Sequence, residues 1–428
     1  MLAFTLIVLL VLLALSIPIA SSLGILAFSL DSKYSSLPLY KAVGEIAWSS
    51  STDFLLLAIP LFILLGEIML RSGTAERMYD GLVKWISWLP GGLLHSNIGA
   101  CALFAATSGS SVATAATVGT VALPQIKKQK YNESLFLGTL AAGGTLGILI
   151  PPSINMIIYG VLTDTSVPKL YMAGIIPGVV LAGLFTLLII VLCSCKKSLG
   201  GESLHYSWSE KISSLPSLLP PLFIFIIVVG AIYGGFATPT EAAALGVVGS
   251  LGIAFKQGKL SFSMLKLALE GTVKTSSMVL LIIICAYFLN FVLAGIGLTD
   301  EINRIIVELE WSPTQTILAI IVFYLVLGCF METLSMMITT VPIMAPIVIG
   351  MGYDPIWFGI LLMVLLETAL ISPPIGLNLY VVQGVRERGD ISDVMLGVIP
   401  FFIAMLAMIV LIVFIPEMVM WLPELIYN

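Results

Sequence analysis

Two pairs of adjacent prolines, Pro151-Pro152 and Pro373-Pro374, interrupt long apolar stretches of this chain 222 residues apart. Proline removes a backbone donor and clashes with the carbonyl four residues back, so a pair of them unwinds a helix and frees carbonyls. In hydrocarbon such groups must be buried in protein or line a cavity. Hydrocarbon is the solvent here: 59% of the 428 residues are hydrophobic and 10% charged, against about 25% charged in soluble domains. A fold that spans the bilayer and gathers broken helices around an internal cavity is therefore expected.

The proline pairs belong to a longer duplication. Ile150-Pro151-Pro152-Ser153-Ile154-Asn155 matches Ser372-Pro373-Pro374-Ile375-Gly376-Leu377-Asn378, and Thr120-Val121-Ala122-Leu123-Pro124 matches Pro342-Ile343-Met344-Ala345-Pro346. Gly174-Ile175-Ile176-Pro177 matches Gly397-Val398-Ile399-Pro400, and Pro18-Ile19-Ala20 matches Pro239-Thr240-Glu241. Four matches in one order, at offsets of 221 to 223, divide the chain into halves at about 1–195 and 216–428, with a linker at 196–215.

Charge gives each half its direction. Fifteen of the nineteen Lys and Arg residues fall in five clusters: Arg71–Lys84, Lys127–Lys130, Lys196–Lys211, Lys256–Lys274 and Arg386–Arg388. The positive-inside rule puts these in the cytoplasm. The Lys127–Lys130 loop has Gly350–Pro355 as its counterpart, and Lys196–Lys197 has the C-terminal stretch. Neither counterpart carries Lys or Arg, so both are expected to be periplasmic. Matched loops on opposite sides make an inverted-topology repeat. The seven tryptophans lie in or beside predicted loops, as interfacial indoles do.

Each half also carries a segment too short to cross twice. Gly91–Thr107 and the small-residue stretch to Ile126 flank the polar tip Ser108-Gly109-Ser110-Ser111. Arms of about 16 residues rise roughly 24 Å, which makes a re-entrant hairpin. Ser312–Leu327, the tip Gly328–Thr333, and Leu334–Ile349 repeat it. After each hairpin comes the broken helix, Tyr131–Ile150 or Ile356–Ser372. Matched breaks in two halves point to a transporter's binding site. Freed carbonyls with Ser108, Thr145, Thr333 and Ser372 are hard oxygen donors suited to Na+. Helix N-termini at the tips favour a carboxylate, and Ser110, Ser111 and Asn155 add donors. A cation site beside an anion site is what coupled import of an acid requires.

Other features exclude classes of function. A net charge of -5 offers no field for nucleic acid. The two histidines, His95 and His205, are expected in loops and leave little for a metal site or catalytic triad. Cys101, Cys193, Cys195, Cys285 and Cys329 form no CxxC and imply no disulfide framework. The apolar start from Leu2 lacks the positive flank of a cleaved signal. Among acids in apolar surroundings, Glu332 at the second tip and Glu367 before the second break are candidates for ion or substrate binding. Glu241 reads as a helix cap and Glu67 as a residue reaching the interface. Asp300, Glu301, Glu308 and Glu310 read as a solvated periplasmic face. A polytopic enzyme would need an acid/base or metal cluster, and none is visible. A channel would need neither coupling nor a partner that binds substrate.

Gly109-Ser110-Ser111, Gly147-Ile148-Leu149-Ile150-Pro151-Pro152-Ser153, Ala237-Thr238-Pro239-Thr240-Glu241-Ala242-Ala243 and Ser372-Pro373-Pro374-Ile375-Gly376 resemble the large membrane subunit of the tripartite ATP-independent periplasmic (TRAP) transporters. The likeness covers essentially the whole chain and is closest to the sialic-acid branch, with the C4-dicarboxylate branch sharing the motifs. It implies an all-α, multi-pass protein of the bacterial inner membrane, working as an elevator. Scaffold helices would occupy about 1–90 and 216–295. A mobile transport domain would take the hairpins and broken helices of about 91–195 and 312–428. It implies sodium coupling at two sites or more, a separate small four-helix membrane subunit, a periplasmic substrate-binding protein, an organic acid substrate and contact with lipid. By position, one sodium site would use Ser108 with carbonyls near Gly147, Ile150 and Pro152. The twin would use Thr333, Ala369, Ser372 and Pro374. Ser110, Ser111, Asn155, Glu332, Ser335 and Asn378 would hold the substrate. A binding-protein-independent carboxylate transporter of similar architecture is the nearest rival.

Overall fold

A computed structural model describes the chain except residues 16, 202–204, 299, 300, 302, 303, 305–310, 330, 387 and 428. Among the described residues the regular structure is helical throughout. The first half contains α1 (Leu2–Ala14), α2 (Ile19–Tyr34), α3 (Val43–Ser51), α4 (Ala58–Arg71), α5 (Thr74–Ile86), α6 (Leu93–Ser108), α7 (Ser111–Gln129), α8 (Glu133–Gly144), the single turn α9 (Leu146–Leu149), α10 (Ile154–Thr163) and α11 (Val167–Cys195). The second contains α12 (Trp208–Tyr233), α13 (Pro239–Lys256), α14 (Phe262–Gly295), α15 (Pro313–Leu327), α16 (Thr333–Gly350), α17 (Pro355–Leu370), α18 (Leu377–Val385), α19 (Ile391–Phe414) and α20 (Glu417–Tyr427). Adding about 222 to the bounds of α6, α7, α8–α9, α10 and α11 gives those of α15 to α19, as the duplicated motifs predict.

The halves interlock by exchanging partners. α2 packs on α14 while α13 packs on α4. α10 lies on α16 and α18 on α7; α8 lies on α19 and α17 on α11. Each of these contacts between the halves has its twin with the roles reversed, the signature of a pseudo-two-fold arrangement. Among the described residues five helices are long and apolar enough to cross a membrane, or up to seven if each bent pair counts as one span. The bent pairs are the segment of α3 and α4, at 62°, and α8–α9 with α10, at 42°.

Local sequence explains the ends. Ser207 with Glu210, Thr238 with Glu241, and Ser312 with Gln315 form capping boxes at the starts of α12, α13 and α15, satisfying otherwise orphaned amides. Glu241 therefore caps, as its position suggests. α12 begins at Trp208, inside the stretch read as linker. Two expectations need correction. His95 sits in the first turn of α6, 2% exposed, with Nε2 2.8 Å from the Pro90 carbonyl oxygen. Trp357 is buried in α17 and donates from Nε1 to Ile412 O at 3.1 Å, because the second broken helix runs through the interior of the bundle. Glu301 pairs with the N-terminal amine at 3.5 Å. Asp300, Glu308 and Glu310 lie outside the described residues.

Candidate functional site

The first hairpin turns at Gly109, whose φ of 60° is the left-handed region that glycine adopts freely. A Cβ there would stand 3.0 Å from the Pro152 carbonyl oxygen, so tip and break pack backbone against backbone. Ser110 then caps α7, accepting from Ala113 N at 3.4 Å. Ser108 Oγ meets Thr114 Oγ1 at 2.9 Å across the turn. Gly147 lies directly beneath the tip: a Cβ there would come within 2.8 Å of the Ser110 and Ser111 backbone. Ser108, Gly147 and Pro152 are thus brought together around one turn, with Ile150 leading into the break in extended conformation. Thr145 is buried beside them, but its hydroxyl donates to Ala142 O at 2.6 Å in its own helix.

The second hairpin is built on the same plan with one substitution. Glu332 occupies the cap position that Ser110 holds in the first. It accepts from Ser335 N at 3.1 Å, Ser335 Oγ at 3.3 Å and Thr333 Oγ1 at 3.0 Å. The tip presses on the second broken helix: a Cβ on Gly328 would overlap Ala369, and Cys329 Sγ is 3.8 Å from Ser372 Oγ. Ala369 and Ser372 therefore lie against the second tip, and Thr333 shares the cavity lining with Leu370, next to Ala369 in sequence. Pro374 stands further out, its carbonyl 3.5 Å from Tyr380 Oη. Both Pro-Pro peptide bonds are cis.

The tips meet at a cavity of about 170 Å³. Ser108, Ser110, Ser111 and Asn155 line it from the first half and Glu332 and Thr333 from the second. Asn155 is 3% exposed and its Nδ2 has no hydrogen-bond partner among the described residues, so a buried donor faces the same space as the two tips. Gly147, Ile150, Pro152, Ser335, Ala369, Ser372, Pro374 and Asn378 are not part of the lining. Asn378 ties the halves instead, donating to Ala141 O at 3.2 Å. Glu367, 1% exposed, accepts from Ser111 Oγ across the halves and lies outside the cavity.

The far wall comes from helices that sequence reasoning left aside. Gly66, Glu67 and Leu70 of α4 and Thr275 and Val279 of α14 complete the cavity. A Cβ on Gly66 would lie 3.3 Å from Ser108 Cα, which brings the first tip directly against α4. Glu67 faces the cavity and holds Arg71 at 3.0 and 2.7 Å. Its position four residues before an arginine was the available signal. Thr114 carried a signal too, as the first hydroxyl one turn past the tip; Thr275 carried none. Among the described residues no three His, Cys, Asp or Glu side chains gather as a metal cluster. The polar groups here are hydroxyls, backbone carbonyls, an amide and the carboxylates of Glu332 and Glu67, hard oxygen donors that suit a monovalent cation, with the amide as a donor to an anion.

The sequence matches the family model described as "Tripartite ATP-independent periplasmic transporter, DctM component" over residues 6–418. It is 35% identical over 410 residues to the C4-dicarboxylate TRAP transporter large permease protein DctM of Pseudomonas aeruginosa, covering 96% of this chain and 94% of the relative. It is 31% identical to the sialic acid TRAP transporter large permease protein SiaM of Vibrio cholerae, covering 87% of each. The sialic-acid branch is therefore not singled out. The isethionate TRAP transporter permease protein DctMQ of Oleidesulfovibrio alaskensis is 33% identical over 96% of this chain but 64% of its own length. The solved YdaH transporter of Alcanivorax borkumensis shares the fold, with a TM-score of 0.65 at 16% identity over 96% of this chain and 99% of that one.

Proposed function

The chain belongs to the DctM component family of the tripartite ATP-independent periplasmic transporters, and from that premise we propose that it imports a carboxylated organic acid by coupling it to sodium entry. As a member it is a multi-pass transporter permease of the bacterial inner membrane and not an enzyme. The observation that carries the proposal is the cavity where both hairpin tips converge, lined by Ser108, Ser110, Ser111, Asn155, Glu332 and Thr333. The amide donor of Asn155 and the start of α7 favour a carboxylate. Ser108 with the backbone at Gly147, Ile150 and Pro152 holds one sodium ion. Thr333 with Ala369, Ser372 and Pro374 holds the other. Sodium moving down a 100 mV potential supplies about 2.3 kcal/mol per charge.

The hairpins and broken helices form the moving unit of an elevator, and α2, α4, α13 and α14 belong to the stationary frame. The close approach of Gly66 to the first tip supports a smooth sliding surface between them. A periplasmic binding protein delivers the substrate and a small membrane subunit braces the frame. The fused DctMQ relative, longer than this chain, supports a large unit that works with a second membrane component. The substrate is of the sialic acid or C4-dicarboxylate type.

The test is uptake. The chain is reconstituted in liposomes with its small subunit and given binding proteins loaded with labelled acids. Accumulation is expected only with an inward sodium gradient. Equal uptake without sodium would overturn the coupling, and uptake without any binding protein would favour a carrier that works alone.

A further inference from the structure

The two breaks have the same sequence plan but opposite surroundings. From Pro151 to Gly160 every residue of the first break and its half-helix is buried. In the second, Pro374, Ile375 and Tyr380 are exposed. Position for position, Ile375 is 44% exposed where Ser153 is 0%, and Tyr380 is 48% exposed where Ile158 is 1%. Packing accounts for the difference. α10 lies against the turn Leu55–Leu57 and α4, and Tyr287 Oη of α14 donates to Val161 O at 3.3 Å. The main neighbours of α18 are α7, α8, α17 and α19, none of them among the frame helices α2, α4, α13 and α14. The frame therefore covers one break and leaves the other open.

The open break faces water and not lipid, because unwound backbone is not tolerated against hydrocarbon. That water is cytoplasmic. α18 runs from the break to Arg386 and Arg388, and α7 beside it runs to Lys127–Lys130, both positive clusters of the inner face.

We infer that the two sodium sites are inequivalent in this conformation: the ion at the second break exchanges with the cytoplasm while the ion at the first break stays sealed. The inference rests on the sodium-coupled reading and adds an order to it. The second site, in which Thr333, Ala369 and Ser372 are buried and exposed Pro374 forms the mouth, empties first on the inner side. The site of Ser108, Gly147, Ile150 and Pro152 follows only after a further rearrangement.

Single cysteines at twin positions test it. Ile375→Cys and Ser153→Cys are placed in a chain whose five own cysteines are replaced, reconstituted with the small subunit, and exposed to a membrane-impermeant thiol reagent from either face. Ile375→Cys should react from the cytoplasmic face at least about tenfold faster than Ser153→Cys. Sodium in place of choline should slow Ile375→Cys and leave Ser153→Cys unchanged. Equal rates, reaction only from the periplasmic face, reaction only with a lipid-soluble reagent, or no protection by sodium would each overturn the inference. Hydrogen exchange on the unsubstituted chain makes the same comparison between 151–156 and 373–378, and equal protection there would sink it as well. Sodium-independent uptake with the labelling asymmetry intact would fault the coupling and not the opening of the second break. Sodium-driven uptake with equal labelling would fault this inference alone.

Discussion

Gly138 and Gly397 face each other where α8 crosses α19, and a Cβ on either would fall on the backbone of the other helix: 2.0 Å from Gly397 O in one case and 1.7 Å from Ser134 O in the other. Small residues let helices approach closely in lipid, where packing replaces the hydrophobic drive. Gly138→Leu should therefore destabilise by about 3 kcal/mol or more, read as a fall in the thermal midpoint of the detergent-solubilised protein. Gly384→Ala, with nothing within 4 Å, should leave it unchanged. Glu332 separates capping from transport. Glu332→Ala should lose about 1 kcal/mol through the cap, whereas Asn155→Ala should cut uptake with little change in stability. If Asn155→Ala transports normally, the amide does not hold substrate. The tip serines, Asn155 and the proline pairs were legible in the sequence because polar residues and helix breakers stand out against an apolar ground. Gly66, Gly138 and Gly397 were not, since nothing along the chain distinguishes a glycine at a crossing from one facing lipid.

Helical hairpins and broken helices were legible for the same reason: their bounds are punctuated by Gly, Ser and Pro. Bending was less so. The first half folds its third span at 62°, while the matching stretch of the second is the unbroken α14 of 34 residues. No proline or glycine pair marks that difference. One connection between elements emerged only in three dimensions. Arg386, just past α18, reaches Glu133 at the start of α8 at 2.8 Å and Asp393 at the start of α19 at 2.9 Å. Its own side chain is 8% exposed while both carboxylates are more open, so each pair alone contributes modestly. Glu133→Gln should cost less than about 1 kcal/mol. Arg386→Met, which strips both acids of their partner, should cost clearly more in the same thermal assay. Asp390 caps α19 in this knot. The Ser392 amide and hydroxyl, with Arg386 nearby, hold its carboxyl below the usual carboxylate range. A value lowered by folding contributes stability that is present above that range and lost as pH falls through it. Acidification should loosen the start of α19, and Asp390→Asn should flatten that part of the acid limb of a stability profile.

The scale of the whole molecule was set by repetition and charge. Offsets near 222 foretold the pairing of elements between halves, and the positive clusters give the expectation of which faces lie inside. The chemical identity of the substrate was not foretold, because the cavity walls present hydroxyls, an amide, two carboxylates and backbone, a set that many ligands would satisfy. The described cysteines are all free. Replacing all five should leave uptake intact, and a reductant should not alter it; loss of uptake on reduction would point to a thiol role. The length of α14 has a consequence for the membrane itself. At 1.5 Å per residue the rod measures about 51 Å, well beyond a hydrocarbon layer of about 30 Å. Its leading turns carry Lys266, Glu270 and Lys274, so the excess length is polar and belongs outside the hydrocarbon. Phospholipid headgroups that grip those lysines, or a thicker bilayer that swallows more of the rod, would change its tilt.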